Sequence, residues 1–362
     1  MKSLIRLTFV CLLLLHSAQS KAQHDSLSPA HIGIVYPLSS NGKMAGQMSN
    51  RFSFHLLSGY SKGEQGFALS GLANVIREDA QGVQIAGLSN QIGRNASGVQ
   101  LAGLGNSVKG DAPSAMIAGI YNVANNAHSQ ISGILNLTKS EAKAVQIAGL
   151  VNISAGNVTG LQVSGLINKS RDVNSQLGGL VNVAGRVRGV QVSGFLNIAD
   201  SSDYAIGLIN LVKNGEKSFG LQLDETLTTT LVFRSGGRKM YTLLGVGYNE
   251  RPGNDRFIAF EAGLGKKWDI AKNFRVKGEL VSRSITQDFD DDVRFTSTLR
   301  ALPTLLIARR IELFGGPSFN HSYFERSDSN FPLPKKYIWE NSHPEHFHGL
   351  YVGWTAGVQV LF

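Results

Sequence analysis

Residues 144–153 read AVQIAGLVNI, and nearly the same text returns as GFALSGLANV from Gly66, GVQIAGLSNQ from Gly82, GVQLAGLGNS from Gly98, GLQVSGLINK from Gly160 and GVQVSGFLNI from Gly189. Weaker copies lie between and after these. A glycine recurs at Gly71, Gly87, Gly103, Gly119, Gly133, Gly149, Gly165, Gly179, Gly194 and Gly207. An asparagine follows each one three residues later: Asn74, Asn90, Asn106, Asn122, Asn136, Asn152, Asn168, Asn182, Asn197 and Asn210. Ten copies at a mean spacing of about 15 residues make each copy one structural unit of a repeat. Within the copy quoted first, Val145, Ile147, Gly149, Val151 and Ile153 share one parity, and Gln146, Ala148, Leu150 and Asn152 the other. Period two is the strand period, and connectors such as SAGNVT at 154–159 have turn composition.

Two architectures satisfy this alternation. In the first, each copy is a wall strand of an outer-membrane-type barrel: ten residues, tilted about 45°, cross roughly 23 Å, near the apolar band of such barrels. In the second, each copy is one coil of a parallel solenoid, stacked about 4.8 Å from the next with Asn over Asn and Gly over Gly. The length match favours the wall. The recurrent Asn favours the solenoid, since antiparallel neighbours do not bring like positions together, and so does the scarcity of aromatics, with Tyr121, Phe195 and Tyr204 alone between residues 82 and 218. The leading expectation is an all-β antiparallel outer-membrane-type barrel with about ten repeat strands. The alternative is a repeat solenoid followed by a smaller C-terminal barrel.

Beyond the repeats the composition changes. Residues 82–200 carry eight Lys or Arg and four Asp or Glu, whereas residues 211–362 carry twenty and seventeen. Alternating segments follow, with Phe274, Val276, Gly278 and Leu280 on one side and Arg275, Lys277, Glu279 and Arg283 on the other. Apolar against charged is the pattern of a wall between lipid and water. From Leu350 the apolar parity runs through Val352, Trp354, Ala356, Val358 and Val360 to Phe362. Thr355, Gly357, Val360 and Phe362 fall in a polar-x-Gly-x-x-apolar-x-aromatic spacing that resembles the sorting signal read by the barrel assembly machinery.

At the other end, Lys2 and Arg6 precede the apolar run Leu7–Leu15, and small or polar residues follow, which is the order of a cleaved secretory signal over residues 1–23. The single cysteine, Cys11, falls inside it, so a lipoprotein reading of Cys11 is disfavoured by the large Phe9 and Val10 before it. The expected layout is therefore a leader at 1–23, N-terminal strands at 24–65, the ten-copy repeat at 66–212 and C-terminal barrel strands at 213–362. From Arg51 through the repeats to LVFRSGGRKMYTLLGVGYN at 231–249 and IELFGGPSFN at 311–320, the chain is similar to surface-repeat outer-membrane proteins of Gram-negative bacteria built from GVQIAGLxN-type units. The resemblance implies an envelope location and a repeat-plus-barrel layout. It carries no assigned activity.

Chemical motifs are sparse. No GxSxG, GxxxxGK[ST] or HExxH text occurs, and the glycine-rich runs belong to the repeat. His343, Glu345, His346 and His348 lie close enough in sequence to share a metal, but an exposed loop explains them as well; Asp288, Asp290, Asp291 and Asp292 lack the spaced Gly and closing Glu of a calcium loop. No catalytic, cofactor or metal residue is expected. The formal charge of +9 is spread without aromatic interleaving, which argues against nucleic acid and is compatible with membrane lipid and lipopolysaccharide phosphates. The expected function is a non-enzymatic outer-membrane surface protein, structural or a passive pore. Its lumen would be lined by Gln, Asn, Arg275, Lys277 and Arg283, with weak anion preference. The alternative is a surface-displayed binding or adhesion solenoid that offers its Gln and Asn face to a partner. A membrane-embedded hydrolase is a third and less favoured class.

Overall fold

The computed structural model describes residues 27–250, 256–287, 293–325, 331–334, 336–343 and 345–362. The expected leader with Cys11 and the acidic run Asp288–Asp292 lie outside these residues. The chain packs as two compact units, Met1–Lys139 and Ser140–Phe362.

The first unit is a stack of parallel coils. A repeat copy is not one ten-residue strand but two short ones, as in Ala80–Ala86 and Ser89–Ile92, with a bend at Gly87–Leu88 between them. Each strand pairs in parallel with its counterpart in the next coil, so Asn74, Asn90, Asn106, Asn122 and Asn136 stand in one row. Gln84 pairs with Gln100 in a second row. Of the two arrangements open to the alternation, the repeats adopt the like-on-like solenoid. The bend explains the glycine: a Cβ on Gly87 or Gly103 would sit well inside contact distance of the carbonyl oxygen of Gly71 or Gly87, one coil back. The coils also begin upstream of the repetitive text. Leu27–Val35 pairs in parallel with Ser49–His55, which pairs with Gly63–Ser70, so that His31, Ser53 and Ala68 continue the Gln84 row.

The core of the coils combines amide rows with an apolar strip. Asn90, Asn106, Asn122, Gln84 and Gln100 are fully buried, and so are Ala80, Ala96 and Ala112 with the larger Ile76, Ile92, Val108 and Met116. Buried amides are tolerated only when their hydrogen bonds are made. Here Asn74 donates to Asn90 Oδ1 at 2.8 Å, Asn90 to Asn106 at 2.8 Å and Asn106 to Asn122 at 2.9 Å. The same Nδ2 atoms donate to strand carbonyls, for example Asn90 to Leu101 O at 2.8 Å.

The second unit begins with the same construction. Asn152, Asn168, Asn182, Asn197 and Asn210 form one row and Gln146, Gln162, Gln176 and Gln191 another. The Asn row donates toward the C-terminus, Asn152 to Asn168 at 2.9 Å, while the Gln row donates toward the N-terminus, Gln162 to Gln146 at 2.8 Å. The two rows of amide dipoles therefore oppose one another. The last coil strand is Ile209–Val212, and an antiparallel barrel follows.

Its eight strands are β1 (Lys217–Asp224), β2 (Thr229–Gly236), β3 (Met240–Glu250), β4 (Arg256–Ala271), β5 (Phe274–Gln287), β6 (Val293–Ala308), β7 (Ile311–Glu325) and β8 (His346–Leu361). Each pairs with the next, and β8 closes on β1 through Phe219↔Val360, Leu221↔Val358 and Leu223↔Ala356. A short strand, Trp339–Ser342, lies against β8 at its start.

Candidate functional site: the filled barrel and its outer belt

Eight strands enclose a space that side chains alone can fill, and the inward parity supplies charged ones. Glu279, fully buried, receives Arg234 Nε at 2.8 Å and the Tyr241 hydroxyl at 2.8 Å. Glu261 receives Arg283 Nε at 2.7 Å, Arg300 Nη2 at 2.8 Å and Gln222 Nε2 at 3.0 Å. Arg283 also bonds Asp224. Nearer the β8 C-terminus, Lys277 bridges Glu312 at 2.7 Å and Glu216 at 3.0 Å, Arg275 reaches both, and Gln359 donates to Glu312 at 2.6 Å. At the opposite mouth Phe331 packs on Phe257 and Phe324, and Arg294 donates to Pro332 O and Ser322. The expected lumen residues Arg275, Lys277 and Arg283 do point inward, but each is bonded to carboxylates rather than lining open space.

The outward parity is apolar on every strand: Phe219 and Leu221 on β1, Leu231 on β2, Val246 on β3, Phe260 on β4, Leu280 on β5, Phe295 and Leu299 on β6, Phe319 on β7 and Val352 and Val358 on β8 are all exposed. Phe219, Leu231, Phe233, Val246, Phe260 and Phe295 line a shallow groove in this belt. The barrel is thus inverted, with ions inside and hydrocarbon outside. Within the C-terminal motif Thr355 faces inward and is buried, Gly357 leaves room for the Phe314 ring and Leu221 O, Val360 faces outward, and Phe362 stacks on Phe219 at 5.7 Å.

The two barrel ends differ. At one, the connections β2–β3, β4–β5 and β6–β7 take three residues or fewer; at the other, the connection between Glu325 and His346 alone takes twenty. The coils of the second unit join at the short-turn end. Tyr204 pairs in parallel with Met240, the N–H groups of Arg238 and Lys239 donate to Ser202 O and Asp203 O, and Asn210 Nδ2 donates to Ser235 O at 3.1 Å and Thr242 Oγ1 at 2.8 Å. The barrel hairpin therefore caps the last rung of the amide row.

The histidines near the start of β8 do not converge. His343 stacks on His346 at 6.2 Å, while His348 turns to His321 and Tyr323. Among the described residues no three His, Cys, Asp or Glu side chains converge on a metal position. A different pair, unremarked in the sequence, is buried in the first unit: His31 Nε2 lies 3.4 Å from His55 Nε2, and Asn50 donates to Glu64 Oε1 beside them at 3.1 Å. Burial lowers both imidazoles, His55 to about 4 with the His31 ring as a further cause, and burial raises Glu64. Among the described residues His31 is the first member of the Gln row, and His55, two residues beyond Ser53 in the next coil, meets its ring edge-on.

The expected Gln and Asn binding face is corrected by the same geometry. The repeat amides are core, with no accessible surface to offer a partner; what the coils present is the other parity.

No family model matches the chain. No curated protein and no solved structure matches it either.

Proposed function

We propose that the protein is a non-enzymatic outer-membrane anchor whose barrel is held shut by its own ion pairs and carries the coils of its second unit as a structural module. The observation that carries this reading is the inversion of the barrel. Eight strands expose Phe, Leu, Val and Trp outward and bury Arg234, Lys277, Arg283, Arg300 and their carboxylates inward, which is costly in water and favourable in hydrocarbon. No helix among the described residues is long and apolar enough to cross a membrane; strands would do so instead.

The filled lumen favours an anchor over a passive pore. Moving ions through it requires breaking buried pairs such as Lys277–Glu312 and Arg300–Glu261. The coils of the second unit join at the short-turn end, and short turns face the periplasm in barrels of this class, which favours a periplasmic module over a surface-displayed adhesin. Export through the N-terminal leader, recognition of Thr355, Gly357, Val360 and Phe362 by the barrel assembly machinery, and contact of the long-loop end with lipopolysaccharide belong to the same reading. The test is expression of the full chain in a Gram-negative host, then membrane fractionation and planar-bilayer recording of the purified protein. The reading requires recovery with outer membranes and no stepwise conductance; recovery in the soluble periplasm, or steady open-channel current, refutes it.

A further inference from the structure

The coils of the second unit repeat the inversion of the barrel. Their interior holds Asn168, Asn182, Gln162 and Gln176 with no exposed surface, while Leu150, Leu166, Leu180, Phe195 and Leu208, the residues after each bend glycine, stand 37–49% exposed in one row. Flanking rows on both sides of the bend are largely apolar as well, including Ile147, Leu177, Ile167 and Ile198, with Lys169 interrupting the Ile198 row. Eleven large apolar residues between 140 and 212 are exposed, on the order of 800 Å² of hydrocarbon, well beyond the few hundred Å² of an ordinary monomer patch. Apart from Lys169, which stands in the Ile198 row, the charged side chains of these coils lie away from the bend, among them Arg171, Asp172, Arg186, Arg188, Asp200 and Asp203. The rod is amphipathic along its length, and its water-averse side is its outside.

We infer that this apolar side is seated among the acyl chains of the membrane leaflet on the short-turn side of the barrel. Continuity with the barrel belt points to lipid as the occupant. Tyr204 and Met240 are paired neighbours in one sheet, and paired residues project to the same side. The row Ile147, Leu177, Ile206 thus runs in the same sheet surface as Met240, Leu244 and Val246 of β3. The amide rows bond to one another and to strand carbonyls, which suits a nonpolar surround, although Gln191 Oε1 at the end of the Gln row and the hydroxyls of Ser164, Ser193 and Ser202 are buried without a partner. The inference rests on the barrel being a membrane anchor.

The test separates the two. In a Cys11→Ser background, nitroxide labels are placed singly at Leu180→Cys on the bend row, Leu299→Cys on the barrel belt and Arg188→Cys on the charged side, and the full chain is reconstituted in phosphatidylethanolamine–phosphatidylglycerol vesicles. Collision with oxygen against collision with a water-soluble nickel chelate is read for each. The inference predicts an oxygen-to-nickel ratio at Leu180 matching that at Leu299 and well above that at Arg188. A label at Leu180 open to nickel while Leu299 is not places the coil face in water and overturns the inference, leaving the anchor standing. Both labels open to nickel overturns the anchor and the inference together. A Leu180 label shielded from both reagents means a protein surface, such as a second copy, covers the face, and this too overturns it.

Discussion

Asn90 and Gln91 are adjacent amides in one strand, and they should respond oppositely to truncation. Asn90 is fully buried: its Nδ2 donates to Asn106 Oδ1 and Leu101 O, both at 2.8 Å, and its Oδ1 accepts from Asn74 at 2.8 Å. Asn90→Ala takes a close partner from three polar groups at once, and a longer 3.3 Å contact from Gln84 O. At about 1–1.5 kcal/mol for each group left short, the loss is about 3–4 kcal/mol, a factor of several hundred in the local opening equilibrium. Gln91 faces outward and is exposed, so Gln91→Ala should stay within about 0.5 kcal/mol. Hydrogen exchange read by mass spectrometry on the full chain in detergent reports this coil by coil, since opening energies differ across a structure. Protection of residues 83–108 should fall by about two orders of magnitude or more in Asn90→Ala and stay unchanged in Gln91→Ala. If the two variants exchange alike, the amide row is not what holds the coils together and the polar-core account fails.

Gly103→Ala should disrupt its coil as strongly, because the new Cβ meets the Gly87 carbonyl oxygen and the stack cannot widen without losing its rungs; loss of exchange protection at residues 99–108 checks it. Glu261→Ala leaves Arg283 with Asp224 alone and Arg300 with only the 3.7 Å contact to Glu279, and should cost about 3–5 kcal/mol, read as a lower temperature for loss of the compact, heat-modifiable band on SDS gels. Acid should loosen the N-terminal coils. The folded His31 and His55 bind protons less readily than the unfolded chain does, so stability falls as pH drops from about 6.5 toward 4, while the raised Glu64 opposes this over the upper part of the carboxylate range. Imidazole NMR should place the His55 titration near 4, and a midpoint at the ordinary value for His would contradict the buried pair.

The strand period, the ten units and the apolar-against-charged parity of the last third were legible in the residues. The direction of the coil faces was not, because alternation is the same whether the amide side lines a lumen or a core. The row of Asn residues was the better guide than strand length: a two-residue bend at Gly149–Leu150 splits ten residues into Val145–Ala148 and Val151–Ser154, and neither crosses a bilayer. The upstream coils escaped notice because His31, Ser53 and Ala68 occupy the Gln row without its text. The lumen pairs are nonlocal, Arg234 with Glu279 and Gln359 with Glu312, so no spacing along the chain announces them. His31 and His55, 24 residues apart, meet because their strands stack in parallel with His31 opposite Ser53, two residues from His55.

The most direct test of the inverted barrel needs no substitution. Trp268, Trp339 and Trp354 are all exposed in the second unit, Trp268 and Trp354 on the outward parity of β4 and β8. With the full chain reconstituted in vesicles whose acyl chains carry bromine, the account predicts blue-shifted tryptophan emission, strongly quenched relative to unbrominated lipid. Red-shifted emission indifferent to bromine, from a chain that stays folded without detergent or lipid, would contradict it.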